Sequence, residues 1–241
     1  MSRKPHWYSV NPFRVIVSVL ITGGIVMVLL QPSSSCGCIS KKGVSSSNAA
    51  QIAKTFAAYS QSSADGRVLT AKPGDTAHYA ALILARDGSL NDASFWFNWS
   101  DPALAGKPHP KSVLVDAQGN STSGNLEDGT LNPDFARLQL SYVFAANIPL
   151  NAPVETTPVV WTRGLQFDGT WSKDSPWKGE GGHVAFMDGH VEWYDKLPLT
   201  KTSADGPDPL VKYGTTTPTT DIREALPPGA IILPAEPAKT P

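Results

Sequence analysis

The sequence has few of the residues on which redox, metal and catalytic sites are usually built. It contains two cysteines in 241 residues, Cys36 and Cys38. A Cys-X-Cys pair makes a strained disulfide and supplies at most half of a metal site, so we predict that both are incidental small residues. No Gly-X-Ser-X-Gly, phosphate-binding loop, dinucleotide fingerprint or His-Glu-X-X-His motif is present. We therefore expect no catalytic residue, no cofactor and no enzyme; a secreted hydrolase is the alternative.

An excess of charge of either sign is also missing. Twenty Lys and Arg residues stand against 21 Asp and Glu residues, which gives a formal net charge of −1. This balance excludes the basic footprint that nucleic-acid binding requires, and we predict no nucleic-acid partner. Proline and glycine, at 21 and 20 residues, are both abundant. Their abundance indicates a chain rich in loops.

An uncharged apolar run near the N-terminus predicts a membrane anchor. Val15–Leu30 contains no charged residue, and Arg14 precedes it. Basic residues before such a run favour a cytoplasmic N-terminus. We predict a cytoplasmic segment at 1–14, a transmembrane helix at 15–31 and a juxtamembrane linker at 32–44. A cleaved signal peptide is the alternative, since small residues precede Cys36.

Helical and strand patterns follow this run. Ala49, Ile52 and Phe56 recur at helical spacing and predict a helix over Ser47–Ala64, with Asn48 in a capping box. A second helix is predicted over Asp75–Arg86, capped by Asp75, with His78 as a solvated residue. Alternating aromatic residues predict a half-buried strand, and they are Phe95, Phe97 and Trp99.

The strongest local signal is a hairpin around Asp188-Gly189. This dipeptide stands between two alternating apolar runs and suits a two-residue type I′ turn. With that turn, Val184 pairs with Trp193 and Ala185 with Glu192. One apolar face then contains Val184, Phe186, Val191 and Trp193. The other face contains His183, Ala185, Met187, His190, Glu192 and Tyr194.

Two groups of polar side chains invite metal hypotheses. His183, His190 and Glu192 share the second face, but the predicted register separates the two imidazoles by roughly 13 Å. This is too far for one zinc ion, so we predict structural or surface histidines. The loop Phe167–Glu180 carries further carboxylates. We predict that it is a solvated acidic loop, with a calcium site at Asp168, Asp174 and Glu180 as the alternative.

The hairpin also carries a family resemblance. Val184-Ala185-Phe186, Asp188-Gly189 and Val191-Glu192-Trp193 resemble the C-terminal signature of bacterial prepilin-type, type II secretion pseudopilin-like proteins. In that signature a His is followed by nine further residues and then the Asp-Gly, and Lys178 occupies the position of that His here. The segment Asn48–Gly66 is similar to the first extracytoplasmic helix of the family.

The resemblance implies an α+β fold. We expect an N-terminal transmembrane helix, then a pseudopilin-like extracytoplasmic domain at 45–197, in which helices pack on a small antiparallel sheet. Pro198–Pro241 has nine prolines in 44 residues and is predicted to be an extended Pro- and Thr-rich tail.

The resemblance also implies a function. We expect a structural or accessory component of a type II secretion or pilus-like apparatus. It would be held in the bacterial inner membrane by a single pass, with its domain in the periplasm. Its partners would be the membrane and other pseudopilins or secretion-apparatus proteins. The alternative is an anchored or exported envelope binding module that does not enter a filament.

Overall fold

The computed structural model of the protein describes residues 36–62, 67–121, 126, 128–201 and 203–237. The chain divides into two units, Met1–Ser40 and Lys41–Pro241. Of the first unit only Cys36–Ser40 is described, as the beginning of a helix. The predicted cytoplasmic segment 1–14 and transmembrane helix 15–31 lie outside the described residues. The core, the sheet and the groove described below belong to the second unit.

The first helix, α1 (Cys36–Ser62), packs one apolar face into the core. Ala49, Ile52 and Phe56 are completely buried, whereas Gln51 and Lys54 on the other side are exposed. The buried positions recur three or four residues apart, as expected for a helix that covers a sheet.

The helix begins well before the predicted start at Ser47. Asn48 does not cap it, because its side-chain amide donates a hydrogen bond to the Ser94 carbonyl at 3.2 Å. Within the segment 32–44 that was predicted to be a linker, the chain is helical from Cys36 onward.

The second helix, α2 (Ala77–Arg86), confirms a predicted element but not its cap. Asp75 accepts the Lys72 N–H at 2.7 Å and so closes the preceding turn. His78 is buried rather than solvated, and its Nε2 donates to the Leu138 carbonyl at 3.0 Å. Burial, which disfavours the charged imidazolium, lowers the pKa of His78 to about 4.

The predicted strand at Phe95–Trp99 is wrong, because a 3₁₀ helix occupies Ala93–Trp96. The Asp92 carboxylate accepts the Ser94 N–H at 2.8 Å and caps this helix. Trp96 is completely buried as a result, while Trp99 is 62% exposed. Two further 3₁₀ helices lie at Pro102–Leu104 and Ile222–Ala225, and a short helix α3 at Pro133–Ala136.

Five antiparallel strands form the main sheet. Two short pairs lie outside it: β1 (Arg67–Val68) with β5 (Ile148–Pro149), and β2 (Leu114–Val115) with β3 (Thr130–Leu131). Across the main sheet the order is β8-β7-β6-β4-β9. These strands are β4 (Tyr142–Ala146), β6 (Pro158–Thr162), β7 (Gly182–Phe186), β8 (Val191–Tyr194) and β9 (Ile231–Leu233).

Helix α1 covers one face of this sheet, which we call the helix face. Ser45 of α1 lies with its hydroxyl 3.1 Å from Tyr142 Oη and 3.2 Å from His183 Nδ1. Strand register extends this face through residue pairs such as Phe144–Val160 and Ala185–Val191. The other side, called the opposite face, carries Trp161, Val184 and Glu192, which are paired in that order across three strands.

The predicted fold class is wrong, because the segment predicted to be an extended tail supplies a strand of a five-stranded sheet. Among the helices in the described ranges, none is long and apolar enough to cross a membrane. The domain also does not end at Leu197. The predicted tail supplies β9, which pairs with β4 and buries Leu233 completely. It also buries Leu210 and Ile222. These apolar residues, spaced among the prolines, have a sheet and a core to pack against, which composition alone does not reveal.

A matched pair of substitutions tests the structural role of this C-terminal segment. Leu233→Ala should lower the free energy of unfolding by about 2–5 kcal/mol, because it leaves a cavity in the core. Leu199→Ala, at a leucine that is 57% exposed, should change it by less than about 0.5 kcal/mol. Urea denaturation measures both. Equal effects would show that the segment after Leu197 is not part of the folded core.

Candidate binding groove beside the hairpin

The hairpin closes with a three-residue turn. The Phe186 carbonyl accepts the Gly189 N–H at 2.9 Å, and the Phe186 N–H donates to the His190 carbonyl at 3.0 Å. Gly189 has a φ of +89°, which a residue with a Cβ rarely adopts. A three-residue loop whose last residue is left-handed is a common hairpin connection. Asp188 supports it by accepting the His190 N–H at 3.0 Å.

A neighbouring loop holds the turn from the side. The Met187 N–H donates to the Thr157 carbonyl at 3.0 Å, and the Asp188 N–H donates to the Val154 carbonyl at 3.1 Å. Met187, with 5% of its surface exposed, is enclosed there. The two acceptor residues lie far from the turn in the sequence. Their hydrogen bonds select the three-residue turn, whereas the dipeptide Asp188-Gly189 is compatible with a turn of two or three residues.

The three-residue turn shifts the register by one residue from the prediction. Val184 pairs with Glu192, and His183 pairs with Trp193. A shift of one residue moves every side chain of a strand to the other face of the sheet. The predicted common apolar face is therefore wrong: Val184 and Phe186 lie on the opposite face, and Val191 and Trp193 lie on the helix face.

His183 lies inside the protein, under α1, because the pairing of β7 with β6 turns it to the helix face. It is 4% exposed, and its ring contacts Trp193 with centroids 4.9 Å apart. Burial, followed by the nearby positive charge of Lys42, lowers the pKa of His183 to about 4. The Lys42 ammonium itself lies 3.8 Å from the centroid of a Trp193 ring. A surface role for His183 is thus contradicted.

A buried polar network joins α1 to the sheet around this histidine. Ser45 also accepts a hydrogen bond from the Asn98 side-chain amide at 3.4 Å. The Tyr142 hydroxyl lies against the same serine, and burial raises the pKa of Tyr142 to about 12. At neutral pH the network is therefore uncharged around His183. Its hydrogen bonds satisfy polar groups that would otherwise be costly to bury.

The network ends in a buried ion pair. Arg163 Nη2 lies 2.5 Å from Asp101 Oδ1, and the Asp101 side chain is completely enclosed. Ser141 donates to the other Asp101 oxygen at 2.8 Å. Because the carboxylate is occupied by Arg163 and Ser141, it does not orient His183. The Ser45–His183 contact therefore lacks the buried acid of a catalytic triad.

A groove of about 330 Å³ lies on the opposite face of the hairpin. Phe186 and His190 stack in its wall with ring centroids 4.2 Å apart. The residues around 208–211, from the segment predicted to be a tail, form another wall. The Tyr194 hydroxyl attaches this segment by donating to the Asp208 carbonyl at 2.9 Å.

The groove is acidic. Four carboxylates line it, from Glu155, Asp188, Glu192 and Asp208. Asp188 pairs with His190, and Asp208 pairs with Lys201 at 3.0 Å. Among the described residues no cationic nitrogen lies within 4 Å of Glu155 or Glu192. Within the described part of the chain, Glu155 and Glu192 are therefore left without a cationic partner at the groove.

The outer edge of β8 borders the groove and is open. Phe186 and His190 form a hydrogen-bonded pair, and bonded and non-bonded pairs alternate along an antiparallel ladder. The N–H and C=O groups of Val191 and Trp193 therefore point away from β7. No other described backbone group pairs with them. Another extended strand can form hydrogen bonds with such free backbone groups at a sheet edge.

Neither metal alternative gains support. His183 and His190 lie on different faces of the sheet, so they do not share a zinc ion. In the acidic loop, the Asp168 carboxylate accepts the N–H and the hydroxyl of Thr170. Within the described ranges, no three His, Cys, Asp or Glu side chains are grouped so as to hold a metal ion.

No family model, curated protein or solved structure matches the chain. The resemblance of the hairpin to the pseudopilin-type signature therefore stays a prediction. Lys178, at the position of the family histidine, is exposed and has a φ of +55°.

Sequence reasoning missed the groove walls contributed by Glu155 and Asp208. These residues lie far from the hairpin along the chain, and no local pattern marks them. It also missed Ser45 and Tyr142, whose pairing depends on how α1 packs. The Asp188-Gly189 turn was the signal that located the groove.

The two buried histidines predict a loss of stability in mild acid. Their pKa values are about 4 in the folded state against an ordinary value of 6.5. Between these values the unfolded chain binds more protons, so stability is complete above about pH 6.5 and falls as the pH drops towards 4. Each histidine should account for about 2 kcal/mol lost between about pH 7 and about pH 5.

Urea denaturation at those two pH values measures the loss. His183→Gln and His78→Gln should each remove about half of it, and the effects should add, because the two sites share no partner. A pH dependence that neither variant alters would contradict the buried, neutral state of these imidazoles.

Proposed function

We propose that this protein is a non-enzymatic structural or accessory component of a bacterial type II secretion or pilus-like apparatus. In this proposal the hairpin Gly182–Tyr194 contacts another protein of the apparatus, such as a pseudopilin. The observation that carries the proposal is the hairpin itself. It bears the residues that resemble the family signature, and its edge strand has open backbone groups beside a groove.

The buried Ser45–His183 contact supports a non-enzymatic role. A nucleophile and its base must reach a substrate, but Ser45 is 2% exposed and His183 is 4% exposed. The nearest buried carboxylate, Asp101, binds Arg163 instead. These polar groups are better explained as the link between helix and sheet.

The proposal places the unit Lys41–Pro241 on the extracytoplasmic side of the inner membrane. A secretion or pilus-like apparatus assembles its subunits there. The low net charge suits contacts with protein surfaces better than contacts with nucleic acid.

The second candidate is an envelope binding module that acts outside any filament. The groove wall at 208–211 favours it. This wall comes from chain beyond Leu197, where the resembled domain was expected to end. Because the segment 208–211 completes the groove within this one chain, the protein could bind a partner there without other subunits of a filament.

Gene deletion tests the proposal. A strain without the gene should export less of at least one extracellular protein, or carry fewer surface fibres, while the exported protein remains inside the cell. Wild-type protein should restore export. Ser45→Ala, present at a normal level by immunoblot, should restore it as well, because the hydroxyl has no catalytic task in this account.

Unchanged export and unchanged fibres in the deletion strain would contradict the apparatus role. Failure of a normally abundant Ser45→Ala protein to restore export would contradict the non-enzymatic role. The binding module predicts a third pattern, with export intact and a loss of partner binding at the groove.

A further inference from the structure

Strand β8 combines three features: free backbone groups at its outer edge, an acidic side chain on one face and an aromatic side chain on the other. The edge of β8 presents N–H and C=O groups at Val191 and Trp193 that no backbone group in the described part of the chain binds. Glu192, between them, points into the acidic groove on the opposite face. Trp193 points to the helix face, under Lys42. A strand added to this edge would therefore place its side chains in two different environments.

We infer that the open edge of β8 binds an extended segment of a partner protein in which basic residues alternate with aliphatic ones. The segment would add a sixth strand next to β8. This inference rests on the proposed function in one respect, since it identifies the partner segment that the hairpin contacts.

Backbone groups supply the first part of the recognition. Strand addition uses main-chain hydrogen bonds for affinity and side-chain pockets for specificity. The free groups of Val191 and Trp193 alternate with those of Glu192 and Tyr194, which already bond to β7. The incoming segment must therefore be extended and must keep its own N–H groups free at alternate positions.

Charge supplies the second part. Among the described residues, neither Glu155 nor Glu192 has a cation within ion-pair distance, and Asp208, whose side chain is 81% exposed, has only its surface ion pair with Lys201. Side chains of an added strand that point to the opposite face would lie beside these carboxylates. Lys or Arg there would neutralise them, whereas Asp or Glu would be repelled.

The helix face supplies the third part. Here the neighbours of an added strand are the half-buried side chains of Val191 and Trp193, with Lys42 above the indole ring. A second positive charge at this place would be repelled by Lys42. Aliphatic side chains would instead cover the apolar surface. Side chains of a strand alternate between the two faces, so the preferred pattern is basic, aliphatic, basic, aliphatic.

The same charges argue against a second copy of this chain as the occupant. Pairing β8 with β8 of another molecule would bring two Glu192 side chains and two acidic grooves together. Like charges placed opposite each other destabilise strand pairs. A partner with basic residues removes this repulsion.

Peptide binding to the full-length protein tests the inference. The probe is a fluorescein-labelled peptide, Lys-Val-Lys-Val-Lys-Val, acetylated and amidated at its ends. Three controls are needed: Lys-Lys-Lys-Val-Val-Val with the same composition, Glu-Val-Glu-Val-Glu-Val, and the probe with alternate backbone nitrogens methylated. We expect saturable binding of the probe, at least about tenfold tighter than that of each control.

Protein variants locate the binding on the surface. Glu192→Lys and Asp208→Lys should each weaken binding of the probe by about tenfold or more. Asp208 is highly exposed, so its variant should fold normally even if Glu192→Lys does not. Glu180→Lys, the same charge change at an exposed position outside the groove, should alter binding by less than about twofold.

Equal binding of the alternating and the segregated peptides would overturn the inference, because it would reveal charge attraction without strand addition. So would probe binding that neither groove variant weakens. A dimer of the protein that the probe does not dissociate would assign the edge to a second copy instead.

The deletion strain separates this inference from the proposed function. If the protein binds the probe but export is intact without the gene, the groove assignment holds and the apparatus role fails. If export depends on the gene but the probe does not bind, the apparatus role holds and the groove assignment fails. If both hold, Asp208→Lys should fail to restore export, whereas Glu180→Lys should restore it.

Discussion

The three-residue turn at Met187–Gly189 is the constraint on which the rest of the site depends. Its left-handed glycine and the hydrogen bond from the His190 N–H to Asp188 set the hairpin register. That register directs Trp193 towards α1 and Glu192 towards the groove, whereas the pairing of β7 with β6 directs His183 towards α1. With a turn one residue shorter, β8 would exchange its two faces, and Glu192 would point at the helix. The contact of Trp193 with His183 and the acidic groove are thus two consequences of one turn.

The predictable parts of the fold are those that local sequence determines. The position of the hairpin and the body of α2 follow from Asp188-Gly189 and from helical spacing. The turn type does not, because Asp-Gly suits turns of two and three residues, and the carbonyls of Val154 and Thr157 decide between them. The C-terminal segment was misjudged for a related reason. Its prolines suggested an extended tail, but Leu233 has a strand to pair with and a core to fill.

The histidines illustrate how a register error becomes an error about function. Sequence reasoning placed His183 and His190 on one face, which raised the question of a shared metal. In the structure one ring is buried and neutral under α1, while the other stacks on Phe186 at the groove. The groove itself assembles from 155, 186–194 and 208–211, and long-range packing of this kind leaves no local signature. The hairpin thus presents a structural face to the helix and a binding face to the outside.

The hairpin register is the central claim, and nuclear Overhauser effects between Hα protons measure it directly. Non-hydrogen-bonded pairs bring their Cα atoms to about 4.5 Å, close enough for a strong effect between the two Hα protons. Full-length protein with labelled hairpin residues should give such effects between Ala185 and Val191 and between His183 and Trp193. Effects between Phe186 and Val191 and between Val184 and Trp193 would instead show the two-residue turn. They would contradict both the contact between His183 and Trp193 and the acidic groove.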